Sequence, residues 1–339
     1  LKEIETENPV PKGREVLVRV RRCGVCHSDI HMKHGYFDLG DGKRFRMSDR
    51  GVTLPLALGH EVLGEVVAIG DAVNDLSIGS TMLVHPWIGC MTCEACRDGR
   101  ENDCTQMAAL GIVRDGGYAS HMLVPDARFL VDVTGIDPDI VAPYACSGLT
   151  VYSALKKMLP IASGGWLAIM GAGGLGLSAV SIARAMGVER IVAVDIDARK
   201  LAVATSLGAD VVINSSEGDA SAALARATGG MLLSVLDTVG APATTDLAVS
   251  NLRKTGTLIV VGLHGGTFSM PSVFLPQKAL TVRGSYVGSC AELRELIALV
   301  RNGAVQSIPV STRPMAEACQ TLKDLEAGRI VGRVVLTTD

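Results

Sequence analysis

The sequence predicts an α/β protein in two parts, a β-rich N-terminal domain followed by a doubly wound parallel sheet. Three observations predict it. Alternating apolar and polar residues mark strands in the first 145 residues, whereas from about Asp139 short apolar runs alternate with helical segments. A glycine turn, Gly171-Ala172-Gly173-Gly174-Leu175-Gly176, lies directly between one such run and a helix. Glycine makes up 38 of 339 residues, above the roughly 7% norm, as close backbone approaches and tight turns require. At roughly 150 residues per domain this length suits two domains.

Residues 15–21 carry the Val-Leu-Val-Arg-Val alternation of a half-buried strand, and 61–69 and 81–84 read as two more. The polar segment 35–55 reads as loop. Residues 140–159 read as one helix. The runs 166–170, 191–195, 211–213, 232–237 and 257–262 are continuously apolar, as parallel strands covered on both faces are. Between them, 175–186, 198–207, 220–227 and 242–252 read as helices. Two further helices, 291–301 and 315–326, precede a last strand at 333–336.

Composition narrows the function classes. The 48% hydrophobic content and net charge of −3 exclude disorder. With 32 Lys+Arg against 35 Asp+Glu there is no basic excess for nucleic acid. Residues 158–183 carry no charge over a length that could span a bilayer, yet hold six glycines and Pro160, so no membrane span is expected. The chain starts at Leu1, so some native N-terminus is expected to precede it, and no secretory signal comes before the first strand. Nine cysteines, four of them in one tight cluster, favour metal binding over disulfides and a cytoplasmic location.

Three constellations carry chemistry. The glycine turn has the strand before it, the helix after it, and Asp195 at a strand end 19 residues beyond Gly176. Glycines let a backbone approach a pyrophosphate at a helix N-terminus, and the carboxylate accepts hydrogen bonds from the adenosine ribose. A carboxylate there would repel a 2′-phosphate, which favours NAD over NADP. Cys90-x2-Cys93-x2-Cys96-x7-Cys104 can wrap one tetrahedral ion as an all-thiolate structural zinc. Bacterial iron–sulfur motifs begin alike but continue with three residues and Cys-Pro, whereas here Cys104 comes after seven and precedes Thr105. Dispersed Cys26, His60 and Cys146 offer three ligands with a fourth position open, the catalytic-zinc pattern.

Together these motifs resemble the zinc-dependent medium-chain alcohol dehydrogenases. Gly59-His60-Glu61-x2-Gly64-x5-Gly70 with Val73 resembles that family's zinc signature, and Cys26-His27-Ser28-Asp29 its first ligand motif. The resemblance implies a GroES-like catalytic domain over 1–146 with a zinc lobe at about 88–105. It implies a Rossmann NAD-binding domain over 147–287 and a return to the catalytic domain over 288–339. It implies two zinc ions per chain, NAD, an alcohol or aldehyde substrate, and a homo-oligomer, tetramer or dimer. Cys26, His60 and Cys146 match the catalytic zinc ligands, Glu61 a nearby acid and Asp29 the carboxylate that orients the zinc-bound imidazole. Ser28 and His31 match a proton relay. His27 and Arg333 match pyrophosphate contacts, and Asp195 with Lys200 the ribose pair.

Cys146 favours an alcohol dehydrogenase over polyol dehydrogenases, which tend to carry a carboxylate there. Trp87 sits where the family places an aromatic in the substrate pocket; packing beside the zinc lobe is its alternative. Lys43, Arg44, Arg46 and Arg50 of segment 35–55 either are solvated or bring an arginine to a substrate carboxylate, as in the 6-hydroxyhexanoate dehydrogenase-like branch. A zinc-bearing regulatory module, or a zinc-free quinone reductase relative, would each leave part of the motif set without a purpose.

Overall fold

The computed structural model describes residues 1–338, with Asp339 and the side chain of Arg50 outside the description. In chain order the first half contains β1 (Val16–Gly24), α1 (His27–His34), β2 (Tyr36–Gly40), β3 (Lys43–Arg46), β4 (Glu61–Ile69), β5 (Thr81–Val84), α2 (Glu94–Arg97), β6 (His121–Val124), β7 (Leu130–Asp132), α3 (Pro138–Val141) and α4 (Ser147–Lys156). Then follow β8 (Trp166–Met170), α5 (Gly174–Ala185), β9 (Ile191–Asp195), α6 (Ala198–Ser206), β10 (Val211–Asn214), α7 (Ala220–Thr228), β11 (Leu232–Asp237), α8 (Pro242–Asn251), β12 (Thr257–Val260), α9 (Phe274–Lys278) and β13 (Thr281–Gly284). The chain ends with α10 (Cys290–Arg301), β14 (Val310–Pro314), α11 (Ala318–Glu326) and β15 (Arg333–Thr337).

Among the described residues two large sheets form. One is seven-stranded, in the order β14-β15-β1-β4-β5-β7 with β6 also paired to β1. Its first two members in that order, β14 and β15, come from the far end of the chain, so β15 pairs with β1 across more than 300 residues of sequence. The other sheet is parallel, in the order β10-β9-β8-β11-β12-β13. Its order reverses between β8 and β11, and doubly wound sheets bind ligands in the crevice at that switch point. Strands β8 and β9 are buried nearly throughout, which is why their sequences read as unbroken apolar runs.

Two expectations change. Segment 35–55 is not plain loop: β2 and β3 pair antiparallel around Asp41-Gly42, both at positive φ (52° and 74°), the two-residue hairpin turn that Asp-Gly favours. The alternation that announces strands is missing because β3 is exposed along its length. The helix expected over 140–159 is broken. Residues 142–145 form a 3₁₀ turn around Pro143, and Cys146 leaves helical geometry at φ −127° and ψ −74° before α4 starts. Among the described residues no helix is long and apolar enough to cross a membrane.

Candidate active site

One cleft of about 730 Å³ runs between the two sheets. At one end its wall contains Cys26, His27, Ser28, His31, Trp87 and Cys146; at the other it contains Gly171, Gly173, Gly174, Leu175, Asp195, Lys200 and Arg333. Asp29, His60 and Glu61 are fully buried and do not line it. Gly176 is packed inside the turn.

The first end is built from three chain crossings. Cys26 is the N-cap of α1, and Asp29 at the third helical position closes a capping box by accepting the Cys26 N–H through Oδ2 at 2.9 Å. The same carboxylate accepts the Tyr118 hydroxyl through Oδ2 at 3.0 Å and the Gly59 N–H through Oδ1 at 3.2 Å. Its Oδ1 also faces His60 Nδ1 at 3.3 Å. Asp29 therefore caps a helix and fixes an imidazole at once. Among the described residues His60 Nε2 is buried without a hydrogen-bond partner, which suits a nitrogen aimed at a ligand. Tyr118 had no motif around it and was not anticipated.

Cys26 Sγ and Cys146 Sγ are 4.0 Å apart. The ligand atoms of Cys26, His60, Glu61 and Cys146 all lie within 4.8 Å of one another. A tetrahedral ion at about 2.3 Å from sulfur separates its ligands by about 3.8 Å, so this set fits zinc. The Cys146 thiol beside Cys26, with His60, holds Cys26 well below the usual thiol range, while Cys146 is pushed up by Cys26 and by burial. Burial pulls His60 down, but the Asp29 charge and the Cys26 thiol lift it well above the imidazole norm. Glu61 Oε2 accepts a hydrogen bond from Arg333 Nη2, and its Oε1 has no hydrogen-bond partner among the described residues. Burial pushes the Glu61 carboxyl up to about 7 against the pull of Arg333. Burial lowers both His27 and His31 from the usual imidazole range, which favours the uncharged ring in each.

The second end is a cradle made by missing side chains. Gly171 sits at φ +90°, and a Cβ on Gly176 would lie 1.8 Å from Gly171 O. A Cβ on Gly174 would lie 2.3 Å from Arg333 Cδ, whereas one on Gly173 would meet nothing within 4 Å and would enter the cleft. The N-terminus of α5 opens on that space, where aligned N–H groups favour an anion. Asp195 Oδ2 accepts the Ala172 N–H at 2.6 Å and Oδ1 the Asp197 N–H at 2.9 Å, which fixes the carboxylate beside the turn. These residues fit a dinucleotide.

Apart from the cleft, Cys90, Cys93, Cys96 and Cys104 converge, with Cys90–Cys96 and Cys93–Cys104 Sγ separations of 4.0 and 3.8 Å. That spacing also matches a tetrahedral ion. The Thr92 hydroxyl and the backbone N–H groups of Thr92 and Cys93 pull Cys90 down to about 5, and burial pushes Cys96 up to about 12.

Trp87 is buried, donates its Nε1–H to Ala145 O at 3.1 Å, and stands 5.5 Å from the His60 ring. Tyr286 packs edge-on against it with ring centroids 5.9 Å apart, and Met32, Phe37 and Ile112 line the same cleft. Lys43, Arg44 and Arg46 do not line the cleft. Arg44 instead lies over the Tyr36 ring, 4.0 Å from its centroid. Sequence reading missed Phe37, Tyr286 and His264 on the cleft wall, because their placement depends on contacts distant in sequence.

Comparison with known proteins agrees with this geometry. Residues 12–135 match the alcohol dehydrogenase GroES-like domain and residues 174–302 the zinc-binding dehydrogenase domain. The NAD-dependent alcohol dehydrogenase of Sulfurisphaera tokodaii is 35% identical over 97% of this chain and 94% of its own length. The solved alcohol dehydrogenase of Aeropyrum pernix superposes with a TM-score of 0.89 at 32% identity, covering 98% of this chain and 95% of that one. Acetophenone reductase from Geotrichum candidum, solved in complex with NAD, gives 0.84 at 31% identity, over 96% and 90%. The chain belongs to the zinc-dependent medium-chain alcohol dehydrogenase family.

Proposed function

We propose that this chain transfers a hydride reversibly between a primary or secondary alcohol and NAD, giving an aldehyde or ketone. The supporting observation is that the Cys26/His60/Cys146 donor set and the Gly171–Gly176 turn with Asp195 share one cleft. Bound zinc supplies Lewis acidity at the alcohol oxygen, and bound NAD accepts the hydride. The chain's own residues bind, orient and move a proton. Cys26, His60 and Cys146 hold the catalytic metal, Asp29 orients His60, and Glu61 stands within ligand reach of the same set. Ser28 and His31, three apart on α1 and both on the cleft wall, carry the alcohol proton away. His27 and Arg333 face the pyrophosphate, and Asp195 with Lys200 the ribose. The four-cysteine lobe holds a second, structural zinc.

The test is a panel of primary, secondary and benzylic alcohols with NAD, read by nicotinamide absorbance, with elemental analysis. Two zinc ions per chain and NAD-dependent absorbance are expected. A single zinc, or no change with any alcohol, would sink the reading. The absence of Lys43, Arg44 and Arg46 from the cleft lining favours an uncharged alcohol over an ω-hydroxy acid, with the side chain of Arg50, the fourth basic residue of that segment, outside the described residues.

NAD is expected to be preferred over NADP, because Asp195 would lose its ribose hydrogen bonds to a 2′-phosphate and repel it. A charge-assisted hydrogen bond contributes roughly 1.5–3 kcal/mol. Asp195→Ser is therefore expected to lower kcat/KM for NAD about ten- to a hundredfold and raise it for NADP. Equal use of both cofactors by the unmodified protein would contradict this.

A homo-oligomer is part of the same reading. Strand β13 ends its sheet, is exposed throughout, and lies near exposed Val273, Leu275 and Tyr286. An open apolar edge is a template for pairing with a second copy. Light scattering is expected to find at least a dimer, and Val282→Lys to shift it to monomer; a monomeric parent protein would refute the proposal. The free cysteines support a reducing, cytoplasmic setting.

A further inference from the structure

One stretch of the cleft wall is a turn that neither sheet contains. Residues 285–289 connect β13 to α10, and Ser285, Tyr286 and Val287 line the cleft. Tyr286 meets Trp87, which stands beside His60, so this turn is at the end of the cleft away from Asp195. Val287 has a φ of +42°. Positive φ is a genuine outlier for a residue branched at Cβ. It persists only where the surroundings over-determine it, and such strain clusters at ligand clamps. Three side chains from outside the turn pin it. Lys157 Nζ donates to Ser285 Oγ at 2.6 Å, Asn102 Nδ2 to Tyr286 O at 3.3 Å, and His85 Nε2 to Gly288 O at 3.0 Å. Lys157 and Asn102 are half-buried, whereas His85 is fully buried.

His85 follows directly on β5, in the sheet opposite the turn, and its own N–H donates to Phe129 O at 2.8 Å. Its ring stacks on Phe129 with centroids 6.0 Å apart and planes 14° apart. Because Nε2 faces a carbonyl oxygen, it must carry the proton. Nδ1 is then a lone pair, buried without a hydrogen-bond partner among the described residues. Burial pushes the imidazole down to about 4, so the neutral ring that this bond needs is the form present. Buried polar groups left half-satisfied are uncommon and call for a reason. Here the satisfied half fastens the residue that follows Val287. We propose that His85 is a positioning residue for the cofactor: by holding Gly288 O it keeps the Val287 turn against the nicotinamide end of the cleft, although His85 itself does not line the cleft. The proposal rests on the alcohol dehydrogenase reading above. A dinucleotide with its adenosine ribose at Asp195 brings only its nicotinamide half to this turn.

The test is calorimetric titration of the zinc-loaded protein and three variants with NADH and with ADP-ribose, which shares the adenosine and pyrophosphate but has no nicotinamide. His85→Phe keeps a ring over Phe129 and loses the donor. His85→Asn has an amide too short to reach Gly288 O, whereas His85→Gln carries a donor at about the reach of Nε2. His85→Phe and His85→Asn are expected to weaken NADH binding roughly tenfold, the effect of one lost hydrogen bond, while ADP-ribose changes less than about twofold. His85→Gln should bind NADH within about threefold of the parent. Asparagine and glutamine differ by one methylene, so that pair decides the matter even where phenylalanine fails to fold. Unchanged NADH binding, equal losses of NADH and ADP-ribose, or a glutamine variant as weak as the asparagine one overturns the proposal and leaves the dehydrogenase reading standing. If the unmodified protein binds neither ligand, that reading fails instead.

Discussion

Replacing Cys146 by Ala is expected to lower alcohol turnover at least about a thousandfold while the fold survives. The thiol sits where the 3₁₀ turn over residues 142–145 gives way to α4, a non-helical point that aims Sγ at Cys26, 4.0 Å away. Without it the catalytic set keeps one thiol, one imidazole and the Glu61 carboxylate, whose Oε2 is already engaged by Arg333, a poorer set for holding an ion in the geometry that Lewis-acid activation needs. That activation supplies several kcal/mol, and each 1.36 kcal/mol is tenfold in rate. Cys146 has negative φ (φ −127°, ψ −74°), so alanine meets no left-handed strain there and leaves only a small gap in the core. Elemental analysis should fall from two zinc ions to one, with the melting temperature within a few degrees of the parent. Retained turnover with both ions present would remove Cys146 from the site.

Cys93→Ala is expected to do the opposite, costing stability more than chemistry. Beyond Gly89 only Cys96, Glu101 and Cys104 of the lobe up to residue 105 are buried, so the segment has almost no apolar core. Its order comes from the convergent sulfurs and from backbone N–H groups donating to them. The Cys90 and Gln106 N–H groups point at Cys104 Sγ, and the Cys93 N–H at Cys90 Sγ, each at 3.3 Å. Metal binding at such a site is folding energy. Losing one of four ligands should cost at least about 3 kcal/mol, or roughly 6–12 °C in melting temperature for a unit of 150–250 residues. Zinc should again fall to one per chain, but turnover at low temperature should drop less than tenfold. The loss is not confined to the lobe, because Asn102 Nδ2 donates to Tyr286 O at 3.3 Å and so braces one side of the cleft. A variant that melts like the parent would show that the lobe needs no metal.

The contrast between the two cysteine variants follows from what was legible in the chain. The lobe's four cysteines lie within fifteen residues, and the glycine turn within six, so sequence spacing alone announced both. The buried parallel strands were equally readable, because a strand covered on both faces must be apolar throughout. Segment 35–55 was misread for the converse reason: β3 is exposed, so no burial imprinted a pattern on it, and only Asp41-Gly42 marked the turn. The break in the helix at Cys146 was likewise hidden, although Pro143 stood beside it.

By itself the sequence determined the fold class, the four-cysteine lobe and the dinucleotide turn, since each depends on local spacing or periodicity, while the dispersed set of Cys26, His60 and Cys146 was implied by the family resemblance. Only the tertiary structure decided which of them meet. Arg333 reaches Glu61 across 272 residues, Tyr118 completes the environment of Asp29, and Thr267 ties down the hairpin that carries Phe37. Such contacts form when β15 returns to pair with β1 and the two sheets close on one cleft. Closure of that kind is set by the burial of whole faces, which no local pattern of residues encodes.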